Sequence, residues 1–237
     1  MRSRSPDARS SQPSAQKIAP ATEPFNTWWS TASGSGLIGL LPANPLLIWV
    51  VAFVAYDFQR HVTHRVLHLP GVWRVHVLHH SERDLDWSTP SRHHPFEMIP
   101  VLLLSAIAVG LLGIDPMALV AVAFVRFAYD TFTHSNIALP RRFERMLGWV
   151  FVTPSIHRLH HFADRYEANS NFGAVFSIWD RMFGTLRSGT PVRFGIEEVE
   201  PSAHGDLVAM LLLPFRTVRP ATAAATPDTA SAGARTR

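Results

Sequence analysis

Residues 57–97 read DFQRHVTHRVLHLPGVWRVHVLHHSERDLDWSTPSRHHPFE, and residues 153–161 read TPSIHRLHH. His64 and His68 stand four apart. His76, His79 and His80 form an HxxHH array, and His157, His160 and His161 form a second. Between the arrays lie His94, ahead of Pro95, and His134. On a helix, positions i, i+3 and i+4 share one face, so each HxxHH places three imidazoles on one stripe. With 13 His in 237 residues, one HxxHH is expected roughly 0.04 times in a random chain, so two are not a chance pattern. Neutral imidazole binds Zn, Cu, Fe and Ni well. His64, His68, His76, His79, His80, His94, His134, His157, His160 and His161 are therefore ten candidate ligands, enough for two five-coordinate metals or for two metals with open positions. His61, His93 and His204 are left out. His61 is the closest exclusion, because it lies three residues before His64, and His93 competes with His94 for one role.

The segments outside these arrays are apolar or low in complexity. No residue between Glu23 and Asp57 is charged, and Met98–Val125 carries only Asp115. Leu37–Tyr56 is about a membrane thickness long as a helix, with its regular part expected from Leu46 because of Pro42 and Pro45. Gly113-Ile114-Asp115-Pro116 reads as a turn, which makes 97–113 and 116–133 the arms of a helical hairpin. Residues 1–22 and 220–237, rich in Ser, Pro and Ala, read as disordered tails around a domain at 23–206. Leu207–Phe215, within a segment at 207–219, is too short to span and reads as an interfacial anchor or a core segment.

The expected fold is all-α: an integral membrane helical protein whose metal site sits in a helical cap. Segments 57–97 and 126–206 flank the hairpin on the side opposite Asp115 and so lie on one face of the membrane. They hold fourteen arginines, which places that face in the cytoplasm by the positive-inside rule.

Composition narrows the chemistry. With Cys 0, there is no thiolate metal site, iron–sulfur cluster or cysteine nucleophile. The net charge of +4 comes from the two ends, while 57–97 and 126–206 are balanced, so no basic stripe suits nucleic acid. Asp57, Glu97, Asp130 and Asp180 read equally as carboxylates that orient imidazoles and as surface or capping charges. Asn136 reads as a turn residue or as a hydrogen-bond donor behind the ligands, and Trp73, Trp87 and Trp179 as interface or core residues.

The residues DF…HRVLH at 57–68, WRVHVLHHS at 73–81, RHHPFE at 92–97, THSN at 133–136, TPSIHRLHH at 153–161 and NFG…WDRMFGTL at 171–186 resemble the fatty acid hydroxylase/sterol desaturase superfamily. That family often has Tyr-Trp where this chain has Val62-Thr63. The resemblance implies a membrane enzyme whose cytosolic cap holds two Fe ions, with Zn as a possible substitute. It also implies hydroxylation or desaturation of a lipid with O2, and electrons from a separate cytochrome b5-like or ferredoxin-like protein. A zinc-dependent membrane hydrolase is the alternative from another class. A metal carrier is disfavoured, because its ligands would lie near the bilayer midplane.

Overall fold

The computed structural model describes residues 36–42, 44–114, 116–163, 168–189, 193–196 and 206–216. The expected tails, Asp115 and His204 lie outside them. Among the described residues every regular element is helical, apart from isolated bridges pairing Phe151 with Phe176 and Phe162 with Phe194.

Helix α1 spans Pro45–Leu67. Asn44 starts it by accepting the Leu47 N–H at 3.2 Å, with Pro45 in the first turn, where its missing N–H costs nothing. The helix starts one residue before the expected Leu46 and does not stop at Tyr56. It continues for three turns into the polar segment and carries His61 and His64, with His68 as its C-cap. A short turn leads to α2 (Trp73–His80). Two 3-10 turns at Thr89–Ser91 and Pro95–Glu97 lead into α3 (Met98–Leu112). Gly113, at φ 70°, ends α3 in the left-handed conformation that glycine adopts without a Cβ penalty. Helix α4 (Pro116–His134) returns and ends on a histidine. The hairpin arms therefore agree with the expectation to within a residue.

Both arms pack on α1. At the hairpin tip, Ile38, Ile48, Ala52, Ile114 and Ala118 form one buried cluster. Elsewhere much of the arms is bare, although α4 also buries Val122, Thr133 and His134. Helix α3 buries no residue, and Leu102, Leu103, Ile107, Leu111, Val120 and Phe124 are more than half exposed. Pro95–Leu112 is the one described helix long and apolar enough to cross a membrane.

The remaining helices form the cap: α5 (Arg141–Leu147), α6 (Pro154–His160), α7 (Ile178–Met182) and α8 (Leu207–Leu211). Thr153 caps α6 by accepting from the Ile156 N–H, with Pro154 next to it. A second cluster joins Trp73, Val77 and Leu78 of α2 to Ile196, Ala209 and Leu213. Segment 207–215 is thus core on one side, while Leu207, Val208 and Phe215 stay exposed on the other. Trp73 is a core residue and Trp87 is exposed.

Candidate metal centre

Four separate stretches of chain bring nine of the ten expected histidines together: the end of α1, α2, the last residue of α4, and α6 with its C-cap. They divide into two groups, within each of which the available ligand atoms lie within 4.8 Å of one another. One group is His64, His68, His76, His80 and His160; the other is His79, His134, His157 and His161. Each HxxHH stripe is therefore shared between the two groups. The i and i+4 members of the first array, His76 and His80, enter the first group, and the i+3 member, His79, enters the second. The second array is divided in the opposite sense. On a real helix the i+3 and i+4 side chains diverge enough to face different centres when those centres sit side by side.

Hydrogen bonds fix which nitrogen faces inward. His64 Nδ1 lies 3.0 Å from the Phe172 carbonyl oxygen, His160 Nδ1 2.7 Å from that of Ser170, and His134 Nδ1 2.8 Å from that of Asp130. A carbonyl only accepts, so in each ring Nδ1 carries the hydrogen and Nε2 keeps its lone pair. His76 reaches the same state through Glu97, whose carboxylate accepts from its Nδ1 at 2.9 Å. Nε2 of His76, Nε2 of His160 and both ring nitrogens of His80 are buried without a hydrogen-bond partner. In the second group, His134 Nε2 lies 3.3 Å from His79 Nε2, 2.9 Å from His157 Nε2 and 3.2 Å from His161 Nε2. One lone pair cannot satisfy three such neighbours.

Orphaned buried nitrogens each cost about 1–3 kcal/mol, and metal ligation is the arrangement that satisfies several at once. The donor set fits transition metals: all imidazole nitrogen, most of it buried. Burial pushes the His160 imidazole down to about 3, although its bond to Ser170 works the other way. Burial, reinforced by neighbouring imidazoles, holds His79, His80, His157 and His161 well below the ordinary histidine value. Neutral imidazoles are the form that ligates.

His94 does not join either group. Its Nδ1 accepts the Phe96 N–H at 3.1 Å, and its Nε2 lies 3.1 Å from the Leu211 carbonyl, so both nitrogens are engaged by backbone. The neighbouring His93 is the one that turns toward the centre. Its Nδ1 is 3.0 Å from Glu97, and its ring stacks on His79 at 4.7 Å between centroids. His61 is fully buried but belongs to neither group.

Of the four carboxylates, Glu97 orients imidazoles. Asp57 instead accepts the N–H groups of Val175 at 2.9 Å, Phe176 at 3.1 Å and the Trp179 indole at 2.8 Å. Asp180 accepts from Phe172 at 2.8 Å, Gly173 at 2.7 Å and the Thr185 hydroxyl at 2.6 Å. These two acids hold loop 172–176, which in turn presents the Phe172 carbonyl to His64. Asp130 ion-pairs with Arg126. Asn136 accepts from Arg158 at 2.9 Å. The carbonyls of Asp130, Ser170 and Phe172 carry no side-chain signal, so sequence reasoning did not find them.

Comparison with known proteins points the same way. The chain is 29% identical over 151 residues to the alkylglycerol monooxygenase of Caenorhabditis elegans, covering 62% of this chain and 28% of that protein. It is 30% identical over 140 residues to the ornithine lipid hydroxylase OlsE of Rhizobium tropici, covering 59% and 41%. With the cholesterol 25-hydroxylase of Rattus norvegicus it shares 26% over 145 residues, covering 60% and 46%. It thus spans less than half the length of each of these relatives. No solved structure matches. The model of the family described as fatty acid hydroxylase matches residues 49–185, more than half of the chain and all nine converging histidines, and the chain belongs to that family.

Proposed function

We propose that the protein is a membrane-bound, non-haem di-iron oxygenase that hydroxylates a lipid. The reaction takes R–H, O2, two electrons and two protons to R–OH and water, and a desaturation at the same site would release no oxygenated lipid. The observation that supports this most directly is the pair of abutting imidazole groups with Nε2 lone pairs turned inward. The first group offers five nitrogens and the second four, so the second leaves more room for an exogenous ligand. Two irons there would supply the O2 activation that no amino-acid side chain provides.

The chain's own part is positional. Glu97 and the carbonyls of Asp130, Ser170 and Phe172 lock ring tautomers. Burial keeps the imidazoles neutral and excludes bulk water. The bare apolar faces of α3 and α4 suit hydrocarbon, with the cap on the cytoplasmic side and the C-terminal segment 207–219 at the interface. In this reading the electrons come from a separate cytochrome b5-like or ferredoxin-like protein. Zinc occupying the same nitrogens would be a substitute of isolation rather than the working metal.

Lipid mass spectrometry on cells with and without the protein tests this reading. A gain of one oxygen in a lipid class supports hydroxylation, and a loss of two hydrogens supports desaturation. An unchanged lipid profile in cells that make metal-replete protein would sink the proposal.

A further inference from the structure

The imidazoles leave a cavity of about 50 Å3 against His76, His79, His134 and His157. Its remaining wall is mixed: Arg60, Arg126, Asp130 and Glu97 line it together with Leu67, Pro90 and Ala174. Three of the four charged groups are matched. Arg126 and Asp130 form an ion pair, and Glu97 accepts from His76 and His93. Arg60 is not. It feels the Asp130 and Glu97 carboxylates across the cavity but forms no hydrogen bond or ion pair with any described residue, and its Nε, like that of Arg126, is buried without a partner. Arg60 stands one helical turn before His64 on α1, so its side chain shares that ligand's face and enters the same cavity.

An unpartnered guanidinium beside a closed metal centre is costly unless an anion completes it. Its planar fork matches a carboxylate or a phosphate. The volume also discriminates. A water needs about 10–15 Å3 measured this way, so the cavity holds a few waters, or one small oxyanion with the carbon next to it. A sterol ring system does not fit.

We propose that Arg60 is the binding residue for an anionic group of the lipid substrate, so that the carbon oxidised lies near that headgroup. The inference rests on the lipid-oxygenase reading and names its substrate class: a lipid with a carboxylate or phosphate close to the reacting carbon. Arg60 is a binding residue here, while Arg126 is already committed to Asp130.

The test is equilibrium binding of three sixteen-carbon ligands to the full chain, loaded with zinc so that no turnover occurs, in neutral detergent. The ligands are hexadecanoate, hexadecyl phosphate and hexadecanol. At least one anion should bind about tenfold tighter than the alcohol, and the preferred anion identifies the source of the charge. Arg60→Gln should bring that ratio close to one while keeping the metal content of the parent protein. Arg60→Lys should keep part of it, because it retains charge but not the fork. If Arg60→Gln takes up no metal, Arg60→Lys decides, and an unchanged ratio there overturns the assignment. A ratio near one in the parent protein, or an unchanged ratio in Arg60→Gln, also overturns it and leaves the oxygenase reading intact. Failure of all three ligands to bind would also overturn the assignment, while the oxygenase reading stands or falls on the lipid analysis.

Discussion

His80 and His161 stack face to face, with ring centroids 4.6 Å apart and planes 21° from parallel, yet they belong to different imidazole groups. They are the last histidines of the two arrays, so this contact is the seam between the two candidate metal positions. Each array crosses the seam once, through His79 in one direction and His160 in the other. Neither group can be completed by one array alone.

This division sets how metal content should respond to substitution. His160→Ala leaves four imidazoles in the first group, whereas His161→Ala leaves three in the second. We expect two metals per chain in the parent protein. His161→Ala should fall toward one after dialysis against a weak chelator, and His160→Ala should lose less. Both should be inactive. Equal metal loss in the two, measured by elemental analysis, would contradict the grouping.

His94→Ala should leave metal content unchanged, because both ring nitrogens serve backbone groups at Phe96 and Leu211. Loss of those two bonds should cost about 1–2 kcal/mol and loosen segment 207–215. Thermal unfolding with parallel metal analysis checks this. A metal-depleted His94→Ala would restore His94 to the ligand set.

Most of the centre is legible in the sequence. The two HxxHH arrays and the HxxxH pair carry eight of the nine converging histidines, because ligand chemistry leaves a dense local pattern. His134 was found through its position at the end of the hairpin. The choice between His93 and His94 was not legible. Both precede Pro95 in an irregular stretch, where no periodicity says which ring turns inward, and the outcome depends on Leu211, over a hundred residues away. The division of each array was hidden for a similar reason: a helical stripe tells which side chains point one way, not how many centres lie there. The helices themselves followed from the prolines, Gly113 and the charge-free stretches. The continuation of α1 to Leu67 did not, since its second half loses the apolar run and is held by the cap.

Glu97→Gln should weaken metal binding about 10–100-fold, since a carboxylate that fixes a ligating imidazole contributes on that scale. His76 and His93 both bond to the same oxygen, Oε1, so the amide keeps that acceptor but loses the negative charge that strengthens both bonds. A competition titration with a chelator of known affinity measures it. Wild-type affinity would show that backbone packing alone orients His76.

Acid should destabilise the metal-free chain in a defined window. Unfolded histidines take up protons near 6.5, while folded His160 does so only near 3. Between those values the unfolded chain binds more protons, so stability falls as pH falls and is fully present above about 7. The melting temperature of metal-stripped protein should be flat from about pH 8 to 7 and drop below about 6.5. Metal-loaded protein should hold its plateau to lower pH, because metal competes with protons for the same nitrogens. A melting temperature that rises on acidification would contradict the burial of neutral imidazoles.

Gly173→Ala should disturb the centre from outside it. A Cβ there would sit 2.6 Å from the Phe176 carbonyl oxygen, 2.9 Å from Asp180 Oδ2 and 2.9 Å from Val152. The loop must shift, and with it the Phe172 carbonyl that fixes His64. We expect a loss of about 1–3 kcal/mol in stability together with weaker metal retention, read by unfolding and elemental analysis.

The second hairpin arm has one end at the tip and the other on a ligand, since α4 begins at Pro116 and finishes at His134. Near that ligand the Tyr129 hydroxyl donates to the Val152 carbonyl at 2.8 Å, and His134 Nδ1 bonds to the Asp130 carbonyl one turn back. The arm is therefore held at both ends, by these bonds beside the ligand and by Ala118 in the buried cluster at the tip. At about 1.5 Å per residue it is a rod roughly 28 Å long. A rod fixed at two points against α1 cannot pivot on its own, so a push on its bare apolar face moves it only together with α1. Two ligand-bearing helices then shift as one body, and the spacing between their histidines is what stays constant.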